Sequence, residues 1–219
     1  MTDFALARRN MIDGQLRPNK VTNTALLAAI GELPREKFLP EAVRSVAYAD
    51  EDVPLGGGRY LMEPMVLARL IQTLQPQPDD RALVVGAGRG YGAALLARLV
   101  KTVTALESDP ALAAAGAQIT KDLALGGIQW VAGKLELGAP AAAPYDVVLI
   151  EGAVQQVPQA IFDQLAEGGR LAVTVSGPPG AMGVAQIFVK DGGVTSGRPL
   201  FEAGTPPLPG FAPPPRFTF

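Results

Sequence analysis

Two residue types are missing altogether from the 219-residue chain: cysteine and histidine. Without cysteine there is no disulfide, no thiolate nucleophile and no thiolate-bound metal. Without histidine the chain lacks the commonest neutral-pH acid–base group and the commonest transition-metal ligand. Ser-His-Asp hydrolysis and zinc hydrolysis are thereby disfavoured, and no metal is expected. Chemistry here has to run on carboxylates, Tyr, Lys, hydroxyls, backbone groups or a cofactor that carries the difficult step. Charge of one sign is also scarce: the formal net charge is −2, which gives no support for a nucleic-acid face. No uninterrupted apolar run reaches the eighteen or so residues of a membrane span. The start, "MTDFALARRN", lacks a signal-peptide core, so a cytoplasmic location is expected.

What is present is apolar. Hydrophobic residues make up 48% and charged residues 18%, enough for one large domain with a sizeable core. Residues 1–50 read as a helical extension. Phe4, Met11 and Ile12 share a face, and "VTNTALLAAIGELP" offers Thr22 or Asn23 as a cap before Leu26, Leu27 and Ile30. A loop over 51–64 ends at Glu63-Pro64, where proline suits the first turn of the next helix. In that helix Leu67, Leu70, Ile71 and Leu74 keep helical spacing.

From residue 78 to 203 the rhythm is that of a nucleotide-binding core. "RALVVG", "KTVTALE", "IQWVA", "YDVVLIEGA" and "RLAVTVSG" are strands that are apolar nearly throughout. They alternate with helical stretches, including "PQAIFDQLAEGG". This pattern means a mostly parallel twisted sheet covered by helices on both faces. "VAQIFVK" and "VTSGRPLF", joined by "DGG", read as a C-terminal antiparallel hairpin. The tail, 204–219, is Pro-rich; its prolines oppose regular structure, and Phe211, Phe217 and Phe219 suggest that it docks.

The strongest motif is "VVGAGRGYG". Gly86, Gly88 and Gly90 leave a buried strand and enter a helix, where glycine permits a sharp turn and close approach of a ligand. Glu107 ends the next strand, where an acidic residue binds ribose hydroxyls. A ligand-free strand–helix turn could carry the same glycines, but it does not call for the acid. The dinucleotide fingerprint would need glycine at 91, and Tyr91 stands there. The G-x-G-x-G spacing therefore points to S-adenosylmethionine rather than NAD.

The chain resembles the protein-L-isoaspartate O-methyltransferase family over roughly residues 8–190. "LPREKFLP" is similar to a signature of that family's N-terminal helices, "AYADEDVPLGGGRYLMEP" to its substrate loop, "LVVGAGRGYGAALLARL" to its cofactor motif and "GGRLAVTVSG" to its fifth-strand segment. The resemblance implies a Rossmann-like class I methyltransferase fold of the α/β class, with adenosylmethionine as donor and a protein or peptide isoaspartyl carboxylate as acceptor. It implies a cofactor site at Gly86, Ala87, Gly88, Gly90, Tyr91 and Glu107, with Gly133, Lys134 and Leu135 beyond. A carboxylate acceptor is already ionised at pH 7, so the reaction needs alignment more than a base.

Three places depart from the family pattern. Its substrate loop ends in a hydroxyl-bearing residue, an amide and proline, where this chain has Met62, Glu63 and Pro64. An aspartate after the third strand is replaced by Lys134, and Glu151 ends the fourth strand. Glu63 and Glu151 are expected to add negative charge on the acceptor side, which disfavours an anionic substrate. Arg59 is the expected partner of one of them, and Arg89 faces either the pocket or solvent. Besides methyl transfer to isoaspartate, two other readings follow: a family member with a changed acceptor, and a catalytically inactive homologue that works through protein contacts.

Overall fold

The computed structural model describes residues 3–178 and 180–211. Helix α1 (Phe4–Met11) is capped by Asp3, whose side chain accepts from the Leu6 N–H at 3.0 Å. It runs on as a single π turn, Ile12–Leu16. Asn23, rather than Thr22, caps α2 (Thr24–Glu32) by accepting from Leu26 N–H. Two 3₁₀ turns follow, Arg35–Phe38 and Glu41–Val46.

The segment expected as a loop before residue 64 contains regular structure. Strands β1 (Val53–Gly56) and β2 (Arg59–Leu61) pair antiparallel, alternating buried and exposed residues. The turn between them is made by Gly56, Gly57 and Gly58, all at positive φ. Glycine alone takes three such residues in succession without Cβ strain. Helix α3 (Pro64–Leu74) has its proline in the first turn, as the sequence requires.

Strands β3 (Arg81–Val85), β4 (Thr102–Glu107), β5 (Ile128–Ala132), β6 (Tyr145–Val154), β7 (Leu165–Val175), β8 (Gly183–Asp191) and β9 (Val194–Ala203) form one sheet. Its order is β5-β4-β3-β6-β7-β8-β9, parallel through β7 and antiparallel at β8 and β9. Helices α4 (Tyr91–Leu96), α5 (Pro110–Asp122) and α6 (Gln159–Phe162) lie between the strands. Successive residues of β3 serve opposite faces: Ala82 and Val84 join the core under the N-terminal helices, while Leu83 and Val85 join the second core. The sequence expectation of one helix over 158–169 is corrected. It stops at Phe162, and "LAEGG" already belongs to β7. There Tyr145 pairs with Leu165 and the register then jumps to Val147–Arg170 across Gly168, at φ 74°.

From β3 the chain moves outward through β4 and β5, then returns to the other side of β3 with β6. The carboxyl ends of β3 and β6 therefore flank a switch point, the place where open α/β sheets bind ligands. Among the described residues no helix is long and apolar enough to cross a membrane.

Candidate active site

The switch point is floored by the glycine loop. Gly86, Gly88 and Gly90 have φ of 76°, 56° and 92°, and the turn closes as Gly90 N–H donates to Ala87 O at 2.8 Å. The backbone thus takes the shape the motif predicts. Tyr91 does not join the crevice: its ring is buried edge-on against Phe38, with centroids 5.3 Å apart, and the Arg35 guanidinium lies 5.0 Å from its centroid. Tyr91 is thereby part of the core that fastens the N-terminal extension to α4.

Glu107 ends β4 with its carboxylate fully buried. Its Oε1 accepts from Arg59 Nη1 at 2.6 Å, Ser108 N–H at 2.8 Å and Asp109 N–H at 3.0 Å. Its Oε2 accepts from Gly88 N–H at 2.6 Å. Arg59, expected to pair with Glu63 or Glu151, pairs with Glu107 instead. Strand β2 alternates, so Arg59 and Leu61 turn inward together while Tyr60 faces out. The second nitrogen of the Arg59 fork donates to Gly86 O at 2.6 Å.

More of the chain covers this floor. A Cβ on Gly88 would stand 2.9 Å from a Leu55 methyl, and one on Gly86 would stand 2.8 Å from Arg59 Nη2 and 2.9 Å from a Leu208 methyl. Leu208 comes from the Pro-rich tail, whose described part, up to Phe211, packs against the sheet and makes a short parallel bridge, Ala153 to Pro207. Phe211 is buried as well; Phe217 and Phe219 lie outside the described residues. The space left among Asp52, Arg59, Met62, Glu151 and Pro206–Leu208 is about 10 Å³. The glycine backbone fits a nucleotide cofactor, and Arg59 and Leu208 lie over it, so these side chains have to shift for one to enter.

Beside the end of β4 the surface opens. A cleft of about 400 Å³ is lined by Leu106, Val131, Gly133, Lys134 and the segment Leu137–Ala142. Lys134 is exposed at its rim, and Leu135 is buried beneath it.

On the acceptor side, Met62 is buried at 1% exposure, and its carbonyl accepts from Arg35 Nη2 at 2.6 Å. Fully buried Arg35 also donates to Ala47 O at 2.7 Å, so it ties the segment after β2 to the N-terminal extension. Sequence reading did not single Arg35 out; the signal available was a charged residue inside an apolar, Pro-flanked signature. Asp52, also missed, accepts from Glu63 N–H at 2.9 Å. Burial, with Asp50 and Asp52 nearby, pushes the Glu63 carboxyl up to about 7. Glu151 is 5% exposed, and its Oε1 has no hydrogen-bond partner. Burial pushes its carboxyl up to about 8, against the pull of Arg59. A Cβ on Gly92 would collide with that carboxyl, so the glycine is what makes room for it. The negative charge expected from these two groups is therefore reduced at neutral pH, more at Glu151 than at Glu63. Arg89 is half-buried in the glycine loop, with Nε unpartnered.

Comparison with known proteins identifies the family and the fold. The family described as "Protein-L-isoaspartate(D-aspartate) O-methyltransferase (PCMT)" matches residues 7–202. A protein-L-isoaspartate O-methyltransferase of Methylorubrum populi is 40% identical over 187 residues, covering 85% of this chain and 86% of its own. Protein-L-isoaspartate O-methyltransferase 1 of Rhodopseudomonas palustris is 38% identical over 189 residues, covering 86% of this chain and 76% of its own. A solved protein-L-isoaspartate O-methyltransferase superposes with a TM-score of 0.82 at 25% identity, over 93% of this chain and 67% of that one. A Plasmodium falciparum protein solved with S-adenosyl-L-homocysteine shares the fold, with a TM-score of 0.77 at 18% identity over 96% of this chain and all of that one. This chain belongs to the protein-L-isoaspartate O-methyltransferase family, a family of S-adenosylmethionine-dependent class I methyltransferases.

Proposed function

We propose that the chain does what its family does: it transfers a methyl group from S-adenosylmethionine to the isoaspartyl carboxylate of a protein or peptide. The observation that carries the reading is the switch-point crevice of a chain matched to the family over residues 7–202, with Gly86, Gly88 and Gly90 at its floor and Glu107 beside them. The acceptor carboxylate is its own nucleophile, so a chain without histidine loses nothing it needs. The residues on the acceptor side fit an anionic group better than their formal charges imply. A protonated Glu151 or Glu63 can donate a hydrogen bond to a carboxylate that its ionised form would repel. Buried Met62 supplies apolar packing where the family pattern has a hydroxyl.

The test is methyl incorporation from labelled adenosylmethionine into an isoaspartyl peptide, with its normal aspartyl isomer as control. Base-labile label in the first peptide alone is the expected result. No label in either, under conditions where the cofactor is bound, rejects the reading. One observation favours a second reading, a homologue that no longer transfers methyl groups: the Arg59–Glu107 pair occupies the acid that the cofactor would need. Failure of the wild-type chain and of its crevice variants to bind adenosylmethionine would decide for that reading.

A further inference from the structure

We propose that Arg59 and the segment Thr205–Leu208 form an internal strap that stands in the crevice in place of the nucleotide, so that cofactor entry is coupled to the strap's release. The inference rests on reading the crevice as the cofactor site.

Hydrogen-bond capacity makes the first part of the case. A carboxylate offers about four acceptor positions. On Glu107, Oε1 is filled by Arg59 Nη1 and the N–H groups of Ser108 and Asp109 at 2.6 to 3.0 Å, while Oε2 holds the Gly88 N–H at 2.6 Å. A ribose diol that needs both oxygens meets Arg59 on one of them. Two of these donors have no freedom to leave, because Ser108 and Asp109 follow Glu107 in the chain. Arg59 is a side chain on a short ribbon, and it is the donor that a ligand can replace. Its fork reaches from Glu107 to Gly86 O and so spans the glycine floor.

Packing makes the second part. Leu208 seats its side chain on two adjacent strand ends, and a Cβ at either Gly86 or Gly152 would lie 2.9 Å from one of its methyl carbons. The residues that let a ligand approach the backbone closely are here used by the chain itself. The strap's backbone is held lightly. Ala153 N–H donates to Pro206 O at 2.9 Å, and Leu208 N–H donates to Ala153 O at 2.8 Å. Pro206, Pro207 and Pro209 have no N–H to add to that pairing. The strap's other holds are the Leu208 side chain, a 3.5 Å contact between the Thr205 and Thr174 hydroxyls, and buried Phe211 just beyond it; none of these is a backbone rung of the β3–β6 pairing beneath.

The experiment is calorimetric titration of the full-length wild type, Leu208→Ser and Arg59→Gln with adenosylmethionine and with adenosylhomocysteine. Hydrogen exchange at the Leu208 and Ala153 amides accompanies it. Leu208→Ser should tighten both ligands about 10-fold, because the bound form no longer competes with the anchored strap. Arg59→Gln should tighten both ligands as well, because the buried ion pair no longer has to be broken for entry. Saturating ligand should remove protection of the Leu208 amide in the wild type. Unchanged affinity in both variants, continued protection of Leu208 with ligand bound, or no binding by any of the three proteins would each overturn the proposal. Tightened binding without methylation of an isoaspartyl peptide would leave the strap standing and remove the proposed function. Methylation with unchanged affinities would do the reverse.

Discussion

The crevice at the carboxyl ends of the strands has two unequal halves. Over Gly86 and Gly88 it is covered by Arg59, Leu55 and Leu208, and the space beside them, among Asp52, Arg59, Met62, Glu151 and Pro206–Leu208, is about 10 Å³. Beyond the end of β4, from Gly133 to Ala142, it is open, apolar and about 400 Å³. Only β4 serves both halves: β3 and β6 end at the first, and β5 with the segment after it lines the second. The difference in openness comes from what is laid on top. The β1–β2 ribbon and the tail reach the first half, and no described segment covers the second. The lesson is that a glycine floor can keep its backbone shape while side chains from distant segments pack over it.

That contrast can be broken most severely at its ion pair. Glu107→Ala would leave the Arg59 guanidinium buried without its carboxylate, together with the Gly88, Ser108 and Asp109 N–H groups. A loss of about 3–5 kcal/mol is expected, read by urea unfolding. An effect below about 1 kcal/mol would show that the closed half is looser than its distances imply.

The next effect is a pH dependence confined to the closed half. Glu151 in the folded chain holds its proton up to about pH 8, against about 4.5 when unfolded. Between those values the folded state binds more protons, so the stability this group contributes is full below about pH 4.5, falls as pH rises and is lost above about 8. The change is on the order of a few kcal/mol. Glu63 adds less, because it is only half-buried. Glu151→Gln should flatten the slope of unfolding free energy between pH 5 and 8; an unaltered slope would mean that Glu151 is ionised in the fold.

Smaller still is the fit between α4 and the end of β6. Gly92→Ala sets a methyl group against the Glu151 carboxyl and should cost about 1–3 kcal/mol. Adding Glu151→Ala should recover most of that, and a double-mutant cycle would measure the coupling. Additive effects would mean that the two residues do not meet. In the open half the expectation is the smallest: Lys134→Ala, at an exposed rim, should leave the denaturation midpoint unchanged. A large shift there would mean that the open half is not open in solution.

Much of the fold was legible because its signals are local. Continuous apolar strands, Pro64 at a helix start, Asn23 as one of two candidate caps and the glycines of the loop act through nearest neighbours, and all took the expected form. The hidden ribbon at Val53–Leu61 escaped notice because its strands are 4 and 3 residues long, too short for alternation to register. The truncated helix near Gln159 was misread for another reason. "LAEGG" has helical composition, and only pairing with Tyr145 draws its start into the sheet.

By itself, then, the sequence determined the layered α/β core, the position of the glycine floor, the acid at the end of β4 and a chemistry that does without histidine. It did not determine which charges meet. Arg59 and Glu107 are 48 positions apart, and Leu208 is farther from both Gly86 and Gly152 than any periodicity can reach. Their meeting is decided by the crossing of separate elements over one crevice. Whether Glu63 and Glu151 carry charge is likewise set by burial, a property of the assembled fold that no stretch of sequence contains.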